Sequence, residues 1–160
     1  MSLLTAQIIA LLEDPEAVKV VATTDEQGRP HVVRREGFTV LDDGSLAYAE
    51  GLESSQTKSN LLRALWYDRY VAVTVFGKEG AAFQIKGKPV RFDFTSPLYK
   101  RFYQAARESY GKDSDITGVW LIAPEEVRNE AFEVRKAEEE RTHPYFRHLD
   151  RESLKRPLST

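Results

Sequence analysis

Short β-branched runs separated by glycine-bearing turns dictate most of what this chain can fold into. Val18 to Thr24 is an apolar strand, and Asp25-Glu26-Gln27-Gly28 turns it into a second, Pro30 to Leu41. Asp42-Asp43-Gly44 then leads into a third, Ser45 to Glu50, so these three form an antiparallel meander. The pattern repeats at Tyr70 to Phe76 and Ala81 to Phe92, across Gly77-Lys78-Glu79-Gly80, and once more at Val119 to Ala123 before Pro124. Near the amino terminus, Ile8, Ile9, Leu11 and Leu12 mark a short amphipathic helix closed by Asp14-Pro15. Thr57 to Tyr67 carries Leu61, Leu62 and Leu65 on one helical face. Ser96-Pro97 places a cap before a proline at the first helical position, and Leu98, Phe102, Ala106 and Tyr110 follow at four-residue spacing up to Gly111. Six strands in hairpin-like order, interrupted by two helices, predict a mainly β fold, a β-barrel with α-helices, and not a parallel α/β sheet.

A chain of 160 residues is long enough for one domain with a real core. The barrel is expected over 1–132. Residues 133–160 are expected to form a charged extension that wraps a neighbour or stays mobile: Lys136 to Arg141 is almost wholly charged, and His143-Pro144-Tyr145-Phe146 and Lys155 to Leu158 show no period. A net charge of −2 argues against a nucleic-acid partner. No apolar run is long enough to span a bilayer, and the start of the chain does not read as a signal peptide. The absence of cysteine rules out disulfides and thiolate chemistry and fits a cytoplasmic protein. His31, His143 and His148 have no metal-ligand spacing, so no metal site is assigned. There is no Walker loop, dinucleotide fingerprint or nucleophile elbow.

Chemistry concentrates at Ser54-Ser55-Gln56-Thr57-Lys58-Ser59-Asn60-Leu61, which follows a strand and opens a helix. Hydroxyls, a lysine and unpaired helix N–H groups meet there, and the positive end of the helix dipole favours an anion. Lys58 opposes that dipole unless something negative sits nearby. On this segment alone, an ordinary polar cap with a solvated lysine explains the residues slightly better than a phosphate seat does.

The second strand adds Arg34-Arg35-Glu36 between apolar flanks, Val32-Val33 and Phe38. Alternation puts Arg34 and Glu36 on one face and Arg35 on the other. Either Arg34 pairs with Glu36 at a barrel mouth while Arg35 faces water, or an arginine turns to the Thr57–Lys58 corner and grips phosphate through its planar fork. Gln84, within Phe83-Gln84-Ile85-Lys86-Gly87, either faces solvent or hydrogen-bonds a heteroaromatic ring. Trp120 is expected in the core or at a dimer interface, and Glu138-Glu139-Glu140 on a solvated face.

Over about Ala17 to Glu126 the chain resembles the pyridoxamine 5′-phosphate oxidase-like, FMN-binding split-barrel proteins. The matching pieces are Val20-Val21-Ala22-Thr23-Thr24-Asp25, Gly28-Arg29-Pro30-His31-Val32-Val33, Thr57-Lys58-Ser59-Asn60-Leu61, Val71 to Phe76, and Phe83 to Lys88, in that order. The resemblance implies a homodimer of six-stranded antiparallel split β-barrels with two FMN molecules at the subunit interface. Carried onto this chain, the cofactor-binding positions are Arg34, Arg35 and Glu36; Ala49, Glu50 and Gly51; and Ser55, Gln56, Thr57 and Lys58. Asn60 would brace the turn and Gln84 would approach the ring or ribityl chain. True pyridoxamine phosphate oxidases carry Ser-Arg-Lys where this chain has Gln56-Thr57-Lys58, and their arginine-containing ending is not reproduced here. A flavin site is implied, vitamin B6 oxidation is not.

The function expected is an FMN-dependent oxidoreductase, a reductase of an unidentified small substrate fed by a nicotinamide reductant or a redox partner. No catalytic acid or base stands out. The alternatives are a non-enzymatic flavin protein for electron transfer or redox sensing, or a split barrel holding a deazaflavin or haem. In the haem case His31 is the one histidine inside the matched region.

Overall fold

A computed structural model of the chain describes residues 3–144. Its elements run α1 (Ala6–Glu13), β1 (Val18–Thr24), β2 (Pro30–Arg34), β3 (Thr39–Val40), β4 (Leu46–Glu50), α2 (Gln56–Trp66), β5 (Val71–Phe76), β6 (Ala82–Asp93), α3 (Pro97–Tyr110), β7 (Gly118–Asn129) and α4 (Phe132–Thr142). The strands form one seven-stranded antiparallel sheet in the order β2-β1-β5-β6-β7-β4-β3.

The order itself closes the sheet. Its two edge strands, β2 and β3, follow one another in the chain and are joined only by Arg35 to Phe38. Laid flat, seven strands would hold their edges about 29 Å apart. The link from Arg34 to Thr39 spans at most about 18 Å when fully extended. The sheet must therefore curl until its edges approach, which makes a barrel split along β2 and β3.

This corrects the expected strand count of six. Pro30 to Leu41 is not one strand, because Gly37 adopts a left-handed φ of 67° and breaks it. The break sends Phe38 into the core, 3% exposed, with its ring centroid 5.0 Å from that of Tyr48. The expected meander is corrected too: β1 pairs with β2 and β3 with β4, but the two pairs lie at opposite edges. The last strand does not stop at Ala123. It runs on through Pro124, which is tolerated because a register shift falls between Lys86 and Gly87, where Gly87 opposes Pro124.

Inside the barrel, Val21, Leu46, Tyr48, Leu61, Val73, Val75, Ile85, Trp120 and Ile122 form the main core, so Trp120 is a core residue at 0% exposure. A second cluster lies on the other face of β4 and β7. There Ala47, Val119 and Leu121 pack against Leu98, Phe102 and Ala106 of α3. That helix starts as expected, with Ser96 accepting from the Leu98 N–H and Pro97 in its first turn. The outer face of β2, β1 and β5 stays open, leaving Val32 59%, Phe76 44% and Val18 39% exposed.

The charged stretch after β7 begins as helix α4, which buries none of its side chains. Tyr145, Phe146, His148 and Lys155 to Leu158 lie outside the described residues. No helix among the described residues is long and apolar enough to cross a membrane.

A Cβ at Gly87 would sit 2.2 Å from the Ala123 carbonyl oxygen, a backbone atom that cannot swing aside. Gly87→Ala is expected to destabilise the fold by about 1–3 kcal/mol, the usual cost of overpacking. A urea midpoint unchanged from that of the parent protein would show that the β6–β7 bulge relaxes freely.

Candidate functional site

The end of β4 organises the site. Strand alternation points Glu50 into the barrel and Ala49 and Gly51 away from it. The Glu50 carboxylate is only 2% exposed and needs compensation. Arg35 supplies the charge. Its backbone N–H donates to the Lys19 carbonyl, extending the β1–β2 pairing by one residue and turning the side chain inward. The guanidinium Nη2 then lies 3.6 Å from Glu50 Oε2 and donates to Ser55 Oγ at 3.2 Å.

Ser55 is the cap of α2. Its hydroxyl donates to Glu50 Oε2 at 3.3 Å and accepts from Arg35 and from the Lys58 N–H at 3.2 Å. One donor and two lone pairs are all a hydroxyl has, so Ser55 is saturated. The Gln56 and Thr57 N–H groups, at the first two helical positions, have no carbonyl one turn earlier in α2 to bond. They stay aimed out of the helix along its positive pole.

Thr57 and Lys58 are buried, not solvated. Thr57 Oγ1 is 3.2 Å from His31 Nε2. Lys58 Nζ sits 5.1 Å from the centroid of Phe92 and forms an ion pair with Glu53 in the loop before the helix. Asn60 ties α2 to the sheet through Thr23 Oγ1, 2.9 Å away, and accepts from Gln56 Nε2 at 2.8 Å. Burial raises the pKa of the Tyr48 phenol and the Glu50 charge adds to this, while Arg35 pulls the other way. The Tyr48 hydroxyl and Arg35 Nε are buried without a hydrogen-bond partner.

The sequence-predicted residues thus divide among several places. Arg35, Glu50, Ser55, Thr57, Lys58 and Asn60 meet at one corner. Arg34 and Glu36 pair with each other at 3.0 Å, both more than half exposed. The pair is that of the first alternative above, while Arg35 turns to the corner, as the second had it for one of the arginines. Glu36, Ala49 and Gly51 instead line a cleft of about 900 Å³ between α3 and the β3–β4 edge, with Phe38, Phe102 and Ile116 among its walls. Gln84 lies on another face of the sheet. It stands opposite Thr74, which pairs with Val20 and, through it, with Arg34, so it belongs to the open outer face.

Three participants escaped sequence reasoning as members of the corner: His31, Glu53 and Phe92. His31 had a usable signal, since strand period two places it on the face of Arg35. Its Nε2 is engaged by Thr57, which leaves that nitrogen poorly disposed to act as a haem ligand. Glu53 lies five residues before Lys58 on a turn, a spacing with no fixed geometry. Phe92 comes from a distant strand and carries no local signal.

A flavin phosphate asks for clustered N–H donors and a cation. The corner offers the first turn of α2, the Lys58 ammonium and the unused Arg35 Nε. The roomy cleft lies on the other face of β4, lined by Ala49, Gly51, Phe102 and Ile116 together with Glu13, Glu36 and Asp115, and none of the corner residues reaches it. The residues of the corner therefore fit the phosphate of the group.

No protein-family model and no curated protein sequence matches the chain. Solved structures do. An FMN-binding protein from Syntrophomonas wolfei superposes with a TM-score of 0.64 at 8% identity, over 78% of this chain and 84% of that one. A Listeria innocua protein named for pyridoxamine 5′-phosphate oxidase gives 0.60 at 21% identity, over 78% and 96%. An F420 reductase gives 0.53 at 19% identity, over 74% and 94%. The fold is thus the pyridoxamine 5′-phosphate oxidase-like split barrel that the sequence resembles.

Glu50 is the residue on which the corner stands. Glu50→Ala strands Arg35 as a part-buried cation and is expected to cost about 3 kcal/mol or more. Ser55→Ala removes a cap and is expected to cost about 1 kcal/mol. Chemical denaturation of both variants checks the order, and equal losses would contradict it.

Proposed function

We propose that the protein is an FMN-dependent oxidoreductase acting as a homodimer on a small substrate. The observation that carries this is the convergence of Lys58, Arg35 and the capped first turn of α2 at one corner, on a fold shared with an FMN-binding protein. Bound flavin would supply the two-electron chemistry, and the chain would supply binding and orientation.

Lys58 and the Gln56 and Thr57 N–H groups hold the phosphate in this proposal, by charge-assisted hydrogen bonds. Glu50 does not touch it, because a second anion would repel it. Glu50 instead holds Arg35 and Ser55 in place and so fixes the start of α2. Gln84 and Arg34 serve a site from the open sheet face, across the dimer. That face, with Val18, Val32 and Phe76 exposed, is the surface a second copy would cover. Electrons would come from a nicotinamide or a redox partner.

One alternative has a specific observation behind it. The F420 reductase shares this fold, and a deazaflavin would suit the same corner if it carried a phosphate. An absorption spectrum of the purified protein separates the two: a flavin absorbs at about 450 nm and a deazaflavin at about 420 nm.

Thr57→Ala combined with Lys58→Ala is expected to weaken FMN binding about tenfold or more, read by quenching of flavin fluorescence. Unchanged affinity would remove this corner from the site. Under anaerobic conditions a nicotinamide donor should bleach the bound flavin, and a flavin that no such donor reduces would point to the electron-transfer role.

Sedimentation should show a dimer. A monomer that binds FMN tightly would contradict the shared interface.

A further inference from the structure

Two carboxylates stand at the α2 corner, and they are not equivalent. Glu50 is 2% exposed and locked: Oε2 takes Ser55 and Arg35, and Oε1 accepts from the Leu52 N–H at 3.3 Å. Glu53 is the opposite case. Its side chain is 78% exposed, it sits on the loop between β4 and α2, and its partner is Lys58.

Lys58 needs such a partner. Its side chain is only 11% exposed and its ammonium is pressed toward the Phe92 ring, so without a counter-charge it would be a poorly hydrated cation at the positive end of a helix. An incoming phosphate would satisfy Lys58 in the same way, but it cannot share the ammonium with Glu53 without two anions meeting at close range. Of the two carboxylates, the exposed one is free to leave.

We infer that Glu53 is a built-in occupant of the anion seat, a carboxylate that holds Lys58 until a phosphate monoester displaces it. This rests on the phosphate reading of the corner given above and adds a selectivity to it. A neutral ligand gains nothing by displacing Glu53. A monoanion merely replaces one negative charge with another, while a dianionic phosphate monoester gains on the exchange. Glu53 thereby sets a charge threshold for entry and lowers the affinity for every anion that passes it. Ligand binding would also release the 51–55 loop from its tie to Lys58.

The test uses the full-length protein and two probes, FMN and riboflavin, which differ only in the phosphate. Glu53→Gln keeps the size of an exposed side chain and removes its charge. It is expected to tighten FMN about threefold to fivefold, the range of a solvent-accessible ion pair, and to leave riboflavin unchanged. In a Lys58→Met background, itself weaker for FMN, Glu53→Gln is expected to give no gain. If Lys58→Met weakens FMN but Glu53→Gln does not strengthen it, the phosphate corner stands and Glu53 is no occupant. An equal gain for riboflavin also overturns the inference, since the effect would then not concern the anion. If Lys58→Met leaves FMN affinity untouched, the corner itself is misassigned and the role of Glu53 falls with it.

Discussion

Four residues, Arg35 to Phe38, hold together the two edges of a seven-stranded sheet, and most of the structure follows from their shortness. A link that short leaves no route but curvature. Curvature brings β2 toward β3 and β4, and with it Arg35 toward Glu50. The same link supplies Phe38, which fills the space beside Tyr48 that the closing barrel would otherwise leave empty. Gly37 permits the change of direction between these two jobs. Closure of the barrel and assembly of the charged corner are one event.

At that corner charge is balanced before any ligand arrives. Arg35 answers Glu50 and Lys58 answers Glu53. A buried ion pair of this kind adds little net stability compared with an apolar substitute, but breaking it is costly. It therefore serves geometry: Glu50 and Arg35 both bond the Ser55 hydroxyl, and its remaining lone pair caps the Lys58 N–H at the start of α2. The helix terminus is held from one side, while its first N–H groups stay available on the other.

Much of this was legible in the sequence. Valine-rich runs, glycine turns and the Ser-Pro helix start declare themselves over a few residues, and the structure has them where the pattern puts them. The failures share one cause, long-range closure. Gly37 is the one local mark of a break in the run from Pro30 to Leu41, and nothing local says that the two halves go to opposite edges, because Phe38 leaves the run only to meet Tyr48. Pro124 looked like a stop because its bulge is defined by Gly87, on another strand. In the same way, the hydroxyls and Lys58 of the α2 start were visible as a cluster, and Arg35 was visible as an oddity. That Arg35 faces inward, that Glu50 is its partner and that Glu53 covers Lys58 depend on where the barrel closes. Gln84 was grouped with them through a family resemblance, and the pleat sends it to the other face.

The β4–β7 ladder has a further consequence. It sets Leu46 opposite Ile122, and Glu50 opposite Gly118, across a chain separation that contains α2, two strands and α3. Pairings so distant pay a large loop-closure entropy before they return any contact, whereas the β5–β6 hairpin pays little. The β4–β7 pairing is therefore among the contacts of highest closure cost, and the link between Arg35 and Glu50 depends on the closed barrel. A ligand that binds the corner only in the folded chain draws the folding equilibrium toward it by mass action.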